Sequence, residues 1–202
     1  DEIGGQYPVY MCLGNHEQIA RWYELESESE YGYDSFINSV KQAGVHILDN
    51  ETEILEKNGD RINISGLTLE LYHYSRRDEP YADDNLLLKT EYIKDMLGSA
   101  AGGFQLLLVH NPSYFDEYAE WGADLVLAGH MHGGIVRIPF KGGLLSPEHV
   151  FFPEYDAGLF EKGSSRMIVN RGLGNSGFYF RIFNRPELTE ITLSTGTAKG
   201  SH

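Results

Sequence analysis

Ala123-Asp124-Leu125-Val126-Leu127-Ala128-Gly129-His130-Met131-His132 decides how the chain folds: a short apolar run that stops abruptly at Gly-His-x-His. A continuous apolar run bounded by turn residues predicts a strand covered on both faces. Its polar tip then lies at the strand's carboxyl end, where open α/β sheets place their chemistry. Two earlier stretches repeat the arrangement. Phe104-Gln105-Leu106-Leu107-Leu108-Val109 terminates in His110, and Tyr7-Pro8-Val9-Tyr10-Met11-Cys12-Leu13 runs into Gly14-Asn15-His16-Glu17. Three buried strands are thus expected to deliver Asn15, His16, His110, His130 and His132 to one rim.

Those residue types suit a metal. Imidazole nitrogen binds Zn, Fe, Mn, Co or Ni, an amide oxygen suits the harder of these, and three such ligands leave positions open for water and phosphate. Two histidines separated by one residue on an extended segment point the same way and address one ion or two adjacent ones. Gly129 before them and Gly133-Gly134 after them allow tight turns. Alone, Gly-His-x-His reads equally well as two loop histidines; three strand-end signals in order weigh against that.

The order Gly14-Asn15-His16-Glu17, a strand-terminal His110 and Gly129-His130-Met131-His132 resembles the calcineurin-like metallophosphoesterase superfamily. Its pattern runs Asp-x-His, Gly-Asp-x-x-Asp, Gly-Asn-His-[Asp/Glu], His, Gly-His-x-His. Gly133-Gly134, the stretch Pro139-Phe140-Lys141-Gly142-Gly143-Leu144-Leu145-Ser146-Pro147, Asn170-Arg171-Gly172-Leu173-Gly174-Asn175-Ser176 and Arg181-Ile182-Phe183-Asn184-Arg185-Pro186-Glu187 narrow the resemblance to a bacterial, often membrane-associated phosphohydrolase branch. The resemblance implies an α/β (α+β) fold, the four-layer α/β/β/α sandwich. It implies that Asn15, His110 and His130 bind one ion and His132 a second, while His16 stabilises the transition state or protonates the leaving oxygen. The implied cofactors are divalent ions (Mn, Fe, Zn, Ni or Co), and the implied reaction is hydrolysis of a phosphate mono- or diester by water activated between two ions about 3.5 to 4 Å apart.

The Asp-x-His and Gly-Asp-x-x-Asp motifs do not occur ahead of Gly14, so the sandwich is expected to be incomplete at its N-terminal βα units. The family pattern then gives two ions to an intact parent and one or none to this chain. Without the bridging carboxylate the remaining ion binds more weakly and acidifies water less, so this chain is expected to be catalytically impaired. Exposed sheet edge and apolar surface would favour a dimer, segment exchange, or a separately supplied N-terminal segment as partner. Two other functions compete: a nucleotide or nucleic-acid phosphodiesterase, and a non-catalytic metal-binding or interaction module.

The chain has 202 residues, 41% of them hydrophobic, which suits one domain over residues 1–195 with a polar tail at 196–202. A net charge of −14 disfavours a general nucleic-acid or anionic-membrane surface; the family resemblance implies a small phosphate ester, lipid-linked or nucleotide, as substrate. No apolar run reaches the length of a membrane span; the chain is expected to be soluble, its parent cytoplasmic or membrane-associated. Cys12, the single cysteine, lies in an apolar strand and reads as a packed thiol.

Smaller expectations follow from local pattern. Asp34 caps a helix carrying Phe36, Ile37, Val40 and Ala43 and stopped by Gly44. Val45–Leu48 is a strand. Thr52–Leu55, Arg61–Ser65 and Thr68–Tyr72 form an antiparallel meander with turns at Asn58-Gly59-Asp60 and Gly66. Asn85–Leu97 is a helix burying Leu88, Tyr92, Ile93, Met96 and Leu97, and Ser113 opens another. Glu17 caps the helix that follows it. Arg171 reaches either a substrate phosphate or a carboxylate or carbonyl in the loop. His46, His73 and His149 take ordinary structural roles, and Phe151, Phe152, Tyr155, Phe160 and Phe178–Phe180 pack as core.

Overall fold

A computed structural model describes residues 7–26, 32–74, 87–100, 102–134, 136–147, 150–174 and 181–194. Its centre is a six-stranded mixed sheet in the order β3-β4-β5-β6-β10-β9, built from β3 (Glu51–Lys57), β4 (Asp60–Leu67), β5 (Phe104–Val109), β6 (Leu125–Ala128), β9 (Gly158–Lys162) and β10 (Ser165–Val169). The four inner strands run parallel, and antiparallel β3 and β9 close the two edges. A second, two-stranded parallel sheet pairs β1 (Val9–Cys12) with β2 (Val45–Leu48). Between those two strands the chain forms α1 (Asn15–Glu26) and α2 (Tyr33–Gln42). A short antiparallel ribbon, β7 (Arg137–Ile138) with β8 (Gly142–Gly143), follows the Gly-His-x-His segment. The mixed α/β class expected from the apolar runs is present.

The inner strands have one fully dry face. Leu107 and Val109 of β5, Val126 and Ala128 of β6, and Met167 and Val169 of β10 alternate along their strands and bury against α3 (Thr90–Leu97) and α4 (Phe115–Trp121). Ile93, Phe115, Tyr118 and Trp121 come from those helices. Two bonds tie the helices together: Trp121 Nε1 donates to the Gly98 carbonyl at 2.8 Å, and Thr90 Oγ1 donates to Glu120 at 2.7 Å. Tyr155 and Phe160 pack edge-on beside this core, as expected, whereas Phe151 and Phe152 are exposed. Phe178–Phe180 lie outside the described residues.

The β3–β4 hairpin turns through Asn58 and Gly59, whose φ of 56° and 90° fit a two-residue turn that needs left-handed backbone at both positions. The rest of the expected meander does not form. Gly66 is not a turn but a buried residue of β4, and a Cβ there would sit 2.3 Å from Leu48 Cβ and carbonyl oxygen. Its glycine lets β4 approach the end of β2. β4 already pairs with β5 on its far edge, so Thr68–Tyr72 has no strand to join. It leaves the sheet and passes into a 3-10 helix over Leu71–Tyr74.

Helix starts also differ from expectation. The N-cap of α2 is Gly32 with no side-chain cap, and Asp34 stands in the first turn. α3 begins at Thr90 rather than Asn85, which lies outside the described residues, and Met96 is 39% exposed rather than inward. Ser113 does not cap α4; Asn111 caps a preceding 3-10 turn, Pro112–Tyr114, by accepting from the Ser113 amide at 3.0 Å. Among the described residues no helix is long and apolar enough to cross a membrane.

Candidate metal centre

Three strand ends meet where the sequence placed them. After β1 the chain passes through buried Leu13 and Gly14 and turns at once into α1. Gly14 works as the helix cap: its carbonyl accepts from Gln18 N at 3.1 Å, and its amide donates to Glu17 Oε2 at 2.9 Å. Glu17 thus closes one half of a capping box, the role expected of it. A Cβ on Gly14 would lie 2.9 Å from His110 Cδ2, so only glycine lets this helix end close on the histidine. Asn15, the first residue of α1, carries a buried Oδ1 with no hydrogen-bond partner among the described residues. An orphaned buried acceptor costs about 1–3 kcal/mol. It is the donor atom that a cation would satisfy.

His110 follows β5 directly, and His130 stands two residues beyond Ala128, the last of the neighbouring parallel β6. Gly129 N donates to the His110 carbonyl at 3.1 Å, which stitches the two strand ends together. Their imidazoles lie 5.2 Å apart, centroid to centroid, at 67°. Tyr74 caps the pair, its ring 5.1 Å from His130 and 6.3 Å from His110. The loop that carries His110 is anchored to the same 3-10 helix. Tyr118 donates from its hydroxyl to the Asn111 carbonyl at 2.8 Å, and Asn111 Nδ2 donates to the His73 carbonyl at 3.0 Å.

Burial, followed by the charges of His130, His132 and His16, holds the His110 imidazole down to about 3. It is therefore neutral at ordinary pH and offers a lone pair, the form that ligates metal. His132 is also lowered, first by burial and then by Arg181, His130 and His16. His16 is exposed on the first turn of α1. His16 and His130 thus both lie close enough to bear on His110 and His132.

The Gly-His-x-His segment is not extended as the spacing suggested. His130 and His132 both have left-handed backbone, φ 61° and 48°. Tight turns close through Met131 N to the Gly129 carbonyl at 2.6 Å and Gly134 N to the Met131 carbonyl at 2.7 Å. The physical reason is Met131, 3% exposed, which is drawn into the core and leaves a histidine on either side of it.

Arg171 lies beside this turn, its stem occupying the space that a Cβ on Gly133 would need. Its Nε donates to Glu187 Oε2 at 2.9 Å, and its backbone amide donates to the same oxygen at 3.2 Å. The Arg171 hydrogen bond is the main reason the Glu187 carboxyl is lowered. The loop ion pair weighed from sequence is therefore present. His46 pairs with Glu53 at 2.8 Å on the surface. His73 is buried among Tyr72, Tyr92 and Tyr114; His149 lies outside the described residues. Tyr74 and Arg137, which also brace this rim, carried no local signal in the sequence; Asn184 stands in the Arg181–Glu187 stretch that carried the resemblance but has no ligand pattern of its own.

Among the described residues no group of three or more His, Cys, Asp or Glu side chains stands close enough to hold an ion.

The family model for calcineurin-like phosphoesterases matches residues 2–134. The chain is 32% identical over 128 residues to an uncharacterized metallophosphoesterase, YkuE, of Bacillus subtilis, covering 63% of this chain and 44% of that protein. It is 28% identical over 186 residues to the phosphodiesterase YaeI of Escherichia coli, covering 92% of this chain and 58% of the relative. A third relative, the uncharacterized metallophosphoesterase YkoQ of Bacillus subtilis, is 23% identical over 183 residues, 91% of this chain and 59% of its own length. The chain spans about half the length of the curated relatives it matches. No solved structure matches it.

Proposed function

Because this chain belongs to the calcineurin-like phosphoesterase family, we propose that its strand-end residues take part in metal-dependent hydrolysis of a phosphate mono- or diester. The observation that carries this reading is the buried, unpartnered Asn15 Oδ1 at the same rim as the His110–His130 pair. Asn15, His110 and His130 would hold one divalent ion and His132 a second. Bound there, divalent ions, which this family uses, supply Lewis acidity toward phosphoryl oxygen and acidify water. The chain's own groups do the rest. Neutral His110 keeps a lone pair directed to the site, Tyr74 fixes the ring planes, and exposed His16 donates a proton to the leaving oxygen. Arg171, oriented by Glu187, contacts a substrate phosphate. The printed name of the Escherichia coli relative, a phosphodiesterase, supports a diester as substrate.

Among the described residues no Asp or Glu completes a group of three with the histidines. Neutral ligands alone bind divalent ions more weakly and leave their water less acidic, so a site made of Asn15 and the histidines alone should turn over slowly. The same observation favours a second reading, a metal-binding module without catalysis. Incubation with bis-p-nitrophenyl phosphate and Mn²⁺ separates the two: metal-dependent release of p-nitrophenol, lost in His16→Ala, supports the enzyme. Metal binding with no release in either protein supports the module. Association between copies is proposed from the exposed Ile54 and Leu55 of edge strand β3 and Leu159 of edge strand β9; a monomeric mass by light scattering would contradict it.

A further inference from the structure

Side chains remote in sequence hold the turn that carries His130 and His132. Asn184, 2% exposed, donates from Nδ2 to the His132 carbonyl at 2.5 Å. Arg137 donates from Nη1 to the next carbonyl, Gly133, at 3.0 Å. The same guanidinium is ion-paired at 2.9 Å with Asp156, whose carboxylate also accepts from the Gly143 amide at 2.5 Å. The segment bearing Asn184 is itself tied down. Arg137 N donates to the Ile182 carbonyl at 3.0 Å, and Glu187 N donates to the Gly172 carbonyl at 3.2 Å. At Gly133 a Cβ would stand 2.5 Å from Asn184 Oδ1, so the amide is wedged against the turn through both its atoms.

This bracing has a physical purpose. Left-handed backbone at a residue with a side chain is strained and persists where the surroundings over-determine it. His130 and His132 both adopt it, two residues apart. Met131, buried between them, fixes the middle of the turn but not the direction of its second histidine. Asn184 supplies a side-chain bond directly to the His132 carbonyl.

We propose that Asn184 is a positioning residue: its amide locks the left-handed backbone at His132 and so aims the His132 imidazole at the rim before any ligand arrives. Arg137 and Asp156 hold the adjoining carbonyl as a second fixed point. The purpose of this lock rests on reading His132 as a metal ligand, but the lock itself is tested without metal.

The test uses the full chain in Asn184→Ala and Asn184→Asp forms; the second keeps the shape and removes the donor. Imidazole signals are followed by ¹H–¹⁵N NMR in metal-free buffer. The lock predicts that the His132 ring signals shift or broaden in both variants, while His46 and His73 stay in place. Unchanged His132 signals in either folded variant overturn it. Should both variants fail to fold, the wild-type chain decides: an Asn184 side-chain amide protected from solvent exchange supports the lock, and one that exchanges freely overturns it. Mn²⁺ is then titrated. Line-broadening at His132 should require at least about tenfold more Mn²⁺ in the variants than in the wild type. If Mn²⁺ broadens no histidine of the wild type, the metal reading fails, while the metal-free shift still decides the lock.

Discussion

His110 and His130 face each other at 5.2 Å and 67° because each stands at or just past the end of one of two adjacent parallel strands, β5 and β6. The strand spacing sets their separation and a shared backbone bond sets their level. A ligand pair made this way is pre-formed by the sheet. Replacing His130 with alanine should therefore lower Mn²⁺ affinity by more than about tenfold while the core strands stay folded. Isothermal titration of the two proteins, with circular dichroism as the control for folding, checks it.

His73 predicts an acid weakness unrelated to metal. Burial holds its imidazole down to about 4 from 6.5, and its Nδ1 has no hydrogen-bond partner among the described residues. Between those two values the unfolded chain binds the proton and the folded chain does not. The contribution is full above pH 6.5 and is lost as pH falls toward about 4, on the order of 3 kcal/mol in all. Urea unfolding at pH 7 and pH 4.5 should show a smaller loss in His73→Phe than in the wild type. Equal losses would show that His73 does not titrate as its burial requires. His110 contributes with the same sign and is common to both proteins.

Gly66→Ala should destabilise the chain by about 3 kcal/mol or prevent folding, because the new methyl would stand 2.3 Å from Leu48. Gly174→Ala, which meets nothing within 4 Å, should leave the midpoint of thermal unfolding within a degree or two of the wild type. Melting curves of the two variants side by side test the close approach of β4 to β2.

Cys12 should be chemically silent in the folded state. Burial pushes its thiol up to about 12, and the thiolate is the reactive form. Ellman's reagent at pH 8 should titrate less than a tenth of the thiol within minutes in native buffer, and all of it in guanidinium; rapid native labelling would contradict the packing of β1.

Much of this arrangement was legible in the sequence, and the parts that were not share a cause. Apolar runs ending in polar tips located β1, β5 and β6 with Asn15, His110 and His130 at their ends, because strand termination is a local property; burial on both faces, also expected, does not hold for β5, which buries one face, or for β1, which is half-buried throughout, because burial depends on what packs against a strand. The meander failed because Gly66 looks like a turn from its neighbours alone. Only the β4–β5 pairing and the proximity of Leu48, both distant in sequence, make it a strand residue. The left-handed backbone at His130 and His132 was hidden for the same reason: it depends on Met131 entering a core assembled from other elements. Tyr74 and Asn184 reach the site from segments with no metal-ligand pattern of their own. Ends of elements were readable; the side chains that brace them from across the fold were not.

Asn15, His110 and His130 are proposed to form a divalent-metal site. Crystals of the chain grown with Mn²⁺ and measured at the manganese absorption edge test it most directly. An anomalous peak is expected within bonding distance of Asn15 Oδ1 and of one nitrogen from each of His110 and His130. A map with no peak there, or with its strongest peak at His46 or another surface histidine, would contradict it.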